Sequence, residues 1–324
     1  MAPVGVAVRL EKRYSALLEG TTGYYPLESL RFLDGKVGWA VGSAQILKTL
    51  NGGRSWTNHY PQQFSEDSLS PEVACPVDPY ICWLLAYRGN QHLRCLVTRD
   101  SGCTWSEKYR LPPSSYADIF FLDRLNGWVL RADKASKSTL HSTGDGGAHW
   151  TDIPLKLGGV PRAILFVDKR KGWLLENHSR RGSIFRKSAL HTTEDGGATW
   201  GPVAEFSGEA WSFRLCGHES IYVVGAVGML LRATVADGKV ERLATHTHAD
   251  LYDVHFKGPI GAAIGTSDLV VSRRSVALLV SKDSGETWHR IPFPVVGAFF
   301  SIRLATWQSG ILASSRGLYT FQLR

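Results

Sequence analysis

The sequence predicts an all-β, seven-bladed β-propeller, and two repeated stretches with one spacing predict it. The first stretch is Thr193-Glu194-Asp195-Gly196-Gly197-Ala198-Thr199-Trp200: a hydroxyl, an acid two residues on, a glycine, a second hydroxyl and a closing tryptophan. It recurs with Asn51 and Trp56, Asp100 and Trp105, Asp145 and Trp150, and Asp283 and Trp288. An Asx side chain accepts backbone N–H groups of the turn it opens, and glycine supplies the positive φ, so each copy reads as a tight β-hairpin. The closing Trp then returns along the next strand into an apolar gap. The second stretch is an apolar strand, a short turn and a strand opening on Gly-Trp. It ends at Gly38-Trp39, Gly127-Trp128 and Gly172-Trp173, with weaker versions through Tyr80–Tyr87, Ile221–Gly225 and Val254–Gly265. The closing tryptophans stand 45 to 50 residues apart until a final double step, where a degenerate copy falls around Thr234–Arg242. That period, filled with short strands, is the signature of propeller blades.

Taken in order, each unit holds four strands, A to D, with the Asx hairpin joining C to D. Gly5 to Leu10 alternate weakly and form a strand without a hairpin of its own. Blades follow at about 27–60, 69–110, 116–155, 160–204, 209–244 and 250–293. The seventh takes Phe299–Leu304, Gly310–Ser314 and Leu318–Leu323 and is completed by residues 4–10, which closes the ring without an open edge. Six blades is the competing count, if the final segment packs as an appendage. Residues 1–324 are read as one domain. Hydrophobic content of 44% and eleven tryptophans supply a core, and no apolar run approaches the ~18 residues of a membrane-spanning helix. No charged-then-apolar leader opens the chain, so a signal peptide is expected to be absent or already removed.

Four of the five cysteines fall in the second blade. A turn through Val77–Pro79 sets Cys75 opposite Cys82, either as a bridge in an oxidising compartment or as two buried thiols. A zinc site lacks its Cys-x-x-Cys pair. His246, His248, Asp250, Asp253 and His255 cluster in sequence, but no fourth ligand is fixed by spacing, and polar connections before a blade are ordinary. No metal and no cofactor are expected. His141 and His191 occupy equivalent third-strand positions and read as packing residues.

The Asx hairpin is similar to the Asp-box, or neuraminidase repeat, of sialidases, some polysaccharide hydrolases and sortilin-like receptors. Joined to the Gly-Trp strand and the Asp-Gly-Gly form at Asp145 and Asp195, it makes the chain, from Leu27 onward, resemble the photosystem II stability and assembly factors. That resemblance implies a seven-bladed, non-catalytic scaffold exported to a lumenal or periplasmic compartment and acting in photosynthesis. The fifth blade, which has lost the hairpin, and the degenerate second blade depart from the pattern. Arg290-Ile291-Pro292 superficially matches the sialidase Arg-Ile-Pro signature, but it follows Trp288 where a fourth strand runs out. The hairpin acids are committed to their turns, and no Gly-x-Ser-x-Gly or His-Glu-x-x-His segment is present.

Charge carries the functional reading. The B-to-C connections, at the strand ends opposite the hairpins, contain Arg88; Arg131, Lys134 and Lys137; Arg180, Arg181, Arg186 and Lys187; Arg273 and Arg274; and Arg316. Their acids are Asp133, Glu176 and Asp268, so these segments hold an excess equal to the net charge of +8. A cationic face attracts an acidic protein segment or an assembling membrane complex. A glycan-binding or glycan-cleaving module is the alternative. Nucleic acid is not expected, because no groove-reading element is present. The chain is expected to be a monomer.

Overall fold

The computed structural model describes residues 8–15, 26–42, 44–66, 69–88, 92–114, 116–133, 137–178, 186–217, 219–267, 275–293 and 297–323. The first strand, β1 (Val8–Ser15), belongs to the last blade. Blade I is β2 (Leu27–Phe32), β3 (Gly38–Gly42), β4 (Gln45–Thr49) and β5 (Thr57–Asn58), followed by a short helix, α1 (Gln62–Glu66). Blade II is β6 (Leu69–Pro76), β7 (Cys82–Arg88), β8 (His92–Thr98) and β9 (Ser106–Leu111). Blade III is β10 (Tyr116–Phe121), β11 (Gly127–Ala132), β12 (Ser138–Thr143) and β13 (Thr151–Leu155). Blade IV is β14 (Val160–Phe166), β15 (Gly172–His178), β16 (Lys187–Thr193) and β17 (Gly201–Ser207). Blade V is β18 (Ala210–Cys216), β19 (Ser220–Gly225), β20 (Leu230–Thr234) and β21 (Val240–Arg242). Blade VI is β22 (Asp250–Lys257), β23 (Ile260–Ser267), β24 (Ser275–Ser281) and β25 (His289–Ile291). Blade VII is β26 (Phe299–Leu304), β27 (Ser309–Ser314) and β28 (Gly317–Leu323), with β1 paired antiparallel to β28.

Seven four-stranded antiparallel sheets make the chain a seven-bladed β-propeller and exclude the six-blade count. The closing strand, described over Val8–Ser15, continues past the expected end at residue 10. Leu10 pairs with Phe321 there, and residues 4–7 lie outside the described residues. The contacts group the chain into two compact units. One comprises Met1–Gly42, Leu47–Asn58 and Trp211–Arg324; the other comprises Ser43–Ile46 and His59–Ala210. Within the second, α1 was not foreseen. It buries Phe64 beside Trp105, with ring centroids 6.5 Å apart.

The packing logic repeats. The second-strand Trp of one blade stacks on the first-strand Phe of the next, as Trp83 does on Phe121 at 4.2 Å and Trp128 on Phe166 at 3.8 Å. The same Phe meets its own hairpin Trp edge-on, as in Phe121–Trp150, Phe166–Trp200 and Phe256–Trp288. Offset stacks and T-shaped pairs are the favoured aromatic geometries, so one Phe joins two blades. The Gly of Gly-Trp is required by that Phe: a Cβ on Gly127 would lie 2.3 Å from the Phe121 ring.

All five cysteines are free thiols, and the Cys75–Cys82 bridge does not form. The turn between the two strands is organised by Asp78, whose Oδ1 accepts the N–H groups of Tyr80 and Ile81. The resulting register sets Cys75 against Trp83 and Cys82 against Pro76.

Candidate docking surface

Four of the five hairpins carry an aspartate at the Asx position, and Asn51 stands there in blade I. In all five, the opening hydroxyl donates to the Asx Oδ1, at 2.7 Å for Thr193 to Asp195 and 3.0 Å for Thr49 to Asn51. That oxygen also accepts the N–H four residues on, from Ser55, Thr104, His149, Thr199 and Thr287. The opening hydroxyl in turn accepts the N–H of the glycine before the closing stretch, Gly197 in blade IV and Gly102 in blade II. The residue after the Asx ties the hairpin to the A-to-B turn of its own blade. Gly52 donates to Lys36, Ser101 to Tyr80, Gly146 to Leu125, Gly196 to Arg170 and Ser284 to Pro259. Ser101 and Ser284 adopt there the positive φ, 68° and 58°, that glycine takes in the other copies. Side-chain and backbone bonds from Thr104, Thr199 and Thr287 hold Asp100, Asp195 and Asp283 down to about 2. Asp145 is lowered likewise by the His149 backbone and ring. These acids are committed to their turns, as their spacing implied.

At the opposite strand ends, six of the eleven expected bases are described. Arg88 closes β7 and is exposed, as are Lys137, Arg186, Lys187 and Arg316. Arg131 lies within β11, not in a loop, half-buried, with Nη1 donating to the Pro113 carbonyl at 3.2 Å. Lys134, Arg180, Arg181, Arg273 and Arg274 lie outside the described residues, as does Asp268. Two features lower the cationic excess estimated from the B-to-C segments alone. Arg186 pairs with Glu209 and Lys187 with Glu205, acids of the D strand and D-to-A connection that share this end of the blade. Conversely, Glu176 is not a surface acid: it is buried in β15, with Oε2 2.6 Å from His191 Nε2.

The buried charges are a feature the sequence reading missed. Burial pushes Asp253 up, but Arg214 and Arg303 outweigh it and hold its carboxyl far below the usual range. Oδ1 lies 3.1 Å from Arg214, and Oδ2 accepts from Arg303, from Ser301 and from the Ile302 N–H of the next blade. Asp118 makes the matching link in blade III: its Oδ2 accepts the Ile164 N–H of blade IV at 3.1 Å. Each Asp stands three residues before the packing Phe of its strand, a periodicity visible in Asp118–Phe121 and Asp253–Phe256. His255 is occupied in the same way. Its Nδ1 accepts the Leu304 N–H at 3.2 Å, and burial and Arg303 hold the imidazole down to about 3. Among the described residues no group of three or more His, Cys, Asp or Glu could hold a metal ion. His141 and His191 share a register position but not a partner: His141 Nδ1 meets Asp152 at 2.6 Å.

Glu176, Asp253 and Asp152 are all held below their ordinary carboxyl range, each by a cationic or hydrogen-bonding partner that outweighs burial. Arg290 is exposed on the outermost strand β25, paired with Leu279.

Seven aromatic-laced, four-stranded blades, with hairpin acids spent on turns and Asp118 and Asp253 on blade-to-blade links, define the class as a seven-bladed β-propeller. No family model and no curated protein matches the sequence. Among solved structures, YCF48 bound to a D1 peptide superposes with a TM-score of 0.70 at 17% identity over 98% of this chain and 97% of that one. YCF48 from Cyanidioschyzon merolae gives 0.69 at 16% identity over 96% and 99%. A GH74 enzyme from Niastella koreensis also reaches 0.70, at 14% identity, over 96% of this chain and 53% of the enzyme. The expected likeness in fold to a photosystem II assembly factor is therefore present along the whole chain.

Proposed function

We propose that the protein is a non-catalytic scaffold that docks an acidic protein segment or a membrane-protein assembly intermediate through the B-to-C ends of its blades. The observation that carries this reading is the set of exposed bases Arg88, Lys137, Arg186 and Lys187, which blades II, III and IV present at equivalent strand ends within one unit. The likeness to a YCF48 structure with a bound D1 peptide supports a protein ligand. An exported, lumenal or periplasmic site of action and a monomeric state complete the proposal. The GH74 neighbour favours a glycan-directed second reading, in which neutral sugar is held by stacking and hydrogen bonds that salt hardly affects.

The test reverses Arg88, Lys137 and Lys187 to Glu and leaves Arg186 intact, because removing it would strip a partner from Glu209, which is largely buried. Stability should change little, since exposed charges contribute under ~1 kcal/mol each. Fluorescence-anisotropy binding of a D1 peptide should fall at least tenfold. Wild-type binding should decline between low and physiological salt, as screening shortens to ~8 Å. Salt-insensitive binding that survives the triple reversal would sink the proposal.

A further inference from the structure

The hairpin ends of blades I and VII enclose a groove of about 680 Å³, wholly within one unit. Beside it β5, the outer strand of blade I, is only two residues long. On blade VII's sheet Ile311 opposes Thr320, and Thr320 opposes Glu11. Ile311 packs into the core shared with blade I, and it lines the groove together with Thr320 and Glu11. Arg9, Glu11 and Arg13 alternate along β1 onto the same wall, and Lys36 and Arg54 face them from blade I. The hydrogen bond from Gly52 to the Lys36 carbonyl holds those two turns side by side.

Among the described residues the groove's one acid is already used. Glu11 Oε2 lies 2.6 Å from Arg13, whose Nε donates to Thr320 Oγ1 at 3.1 Å. Arg9, Lys36 and Arg54 are exposed and make no ion pair with another described residue. The groove also shares Gly35, Ala305 and Ile311 with a second cavity of about 200 Å³, where Lys257 and Asp34 offset each other and Arg303 is paired with Asp253. The two together run from the outermost strand toward the first strands of blades VI and VII.

We propose that this groove is a second binding site, for an extended acidic polypeptide segment, separate from the B-to-C ends and independent of the docking proposed there. Its volume falls in the range of ligand clefts, and its length suits a chain rather than a single anion. Hydroxyl and amide groups of Ser309, Thr320 and Gln322 offer partners for a peptide backbone between the cations. Sugars and bases need an exposed aromatic platform, and among the described residues the only aromatic in the 680 Å³ wall, Phe321, is fully buried. Its concavity disfavours a lipid surface. β1 is also the outer strand of its sheet, so among the described residues its second backbone edge has no strand beside it. An extended segment can add there in the manner of β-augmentation.

The experiment measures anisotropy of fluorescein-labelled hexaglutamate on the full chain at low salt, with wild type, R9S/K36S/R54S and R88E/K137E/K187E. Thermal melts that coincide with wild type establish that the groove variant is folded, and single R9S and R54S variants substitute for it if it is not. The groove variant should weaken hexaglutamate at least tenfold, and each single variant two- to fivefold. The other triple variant should retain a groove-sensitive component. Tripolyphosphate should compete only weakly. An unchanged affinity in the groove variants overturns the proposal. So does tripolyphosphate binding as tightly as the peptide, which makes the groove a simple anion site. Groove-dependent binding to phosphatidylglycerol vesicles without hexaglutamate binding overturns it in favour of a membrane surface.

Discussion

Blades III and V solve one packing problem with different residues. In blade III, Trp128 opens the second strand, stacks on Phe166 of the next blade with planes 6° apart, and donates its Nε1–H to Gly196 O at 3.0 Å. In blade V, Tyr222 takes that place, lies 4.2 Å from Phe256, and donates its hydroxyl to Ser284 O at 2.7 Å. Gly196 and Ser284 occupy the same step of their hairpins, one residue after Asp195 and Asp283. Blade V has therefore kept the contact it owes the next blade while losing its own Asx hairpin. A simple turn in which Gly238 N–H returns to Thr234 O replaces that hairpin. Blade VI shows the converse, keeping the Asp283 hairpin while Ala262 stands at the stacking position, so the hairpin and the inter-blade stack are lost independently.

The largest effect expected from this comparison follows truncation of the stacking residue. Trp128→Ala removes a side chain that is 4% exposed, together with its stack and its hydrogen bond, and should cost roughly 3–5 kcal/mol. Tyr222→Ala should approach that loss, because Tyr222 is 3% exposed and makes the same two contacts. Tyr222→Phe keeps the stack and should cost about 1 kcal/mol. Denaturant midpoints measure all three. A negligible loss for Tyr222→Ala beside a large one for Trp128→Ala would break the equivalence.

A smaller effect separates the neighbours of the two blades by pH. Blade VI carries His255 where blade III carries Phe120, one residue before the packing Phe. Burial and Arg303 hold His255 down to about 3 from its ordinary 6.5. Between those values the unfolded chain binds a proton that the folded chain refuses. The stabilisation from neutral His255 is therefore complete above pH 6.5 and is lost as pH falls toward 3, by up to ~1.4 kcal/mol per pH unit. His255→Asn keeps an acceptor for Leu304 N–H and removes the titration, so its stability profile between pH 6 and 4 should be flatter than wild type. The hairpin acids held near 2 contribute only to the limb below about pH 3.8. An unchanged slope from pH 6 to 4 in His255→Asn would show that this imidazole does not govern the acid limb.

Much of this fold was legible because its repeated contacts are made by rare, conspicuous residues. Gly, Trp and Asx at fixed steps marked the hairpins, and Gly-Trp marked the second strands. The N-terminal strand was ended too early because Val6, Val8 and Leu10 alternate while Lys12 and Arg13 do not look like sheet residues. Pairing with β28 carries the strand through them, with an irregularity between Lys12 and Tyr14. The surface was less legible. A count of bases in B-to-C segments could not see that Arg186 meets Glu209 from the following connection, or that Glu176 turns inward to His191. Nor could it bring Arg9, Lys36 and Arg54 together, since they come from different turns and from the strand that closes the last blade.

The smallest effect tests how much of the hairpin is carried by charge, and so what blade V gave up. Asp195 offers Oδ1 to Thr193 and to the Thr199 N–H, and Oδ2 to the Thr199 hydroxyl at 2.6 Å. Asp195→Ala deletes both acceptor oxygens and their three bonds and should cost roughly 1–3 kcal/mol, because the donors stay near the turn without a replacement of the same geometry. Asp195→Asn should cost under about 1 kcal/mol. Blade I shows the reason: Asn51 Oδ1 accepts the Thr49 hydroxyl and the Ser55 N–H, and its Nδ2 reverses the third bond by donating to Ser55 Oγ at 2.8 Å. The Thr199 hydroxyl can rotate to accept in the same sense, so geometry is kept while the negative charge is lost. Thermal unfolding at pH 7 and pH 3 separates the two contributions. Asn at position 195 should remain near wild type at both values, with a slightly shallower acid limb because one lowered carboxyl has been removed. If Asp195→Asn falls as far as Asp195→Ala, the hairpin depends on the carboxylate's charge, and the Asn51 copy in blade I must be held by its neighbours instead.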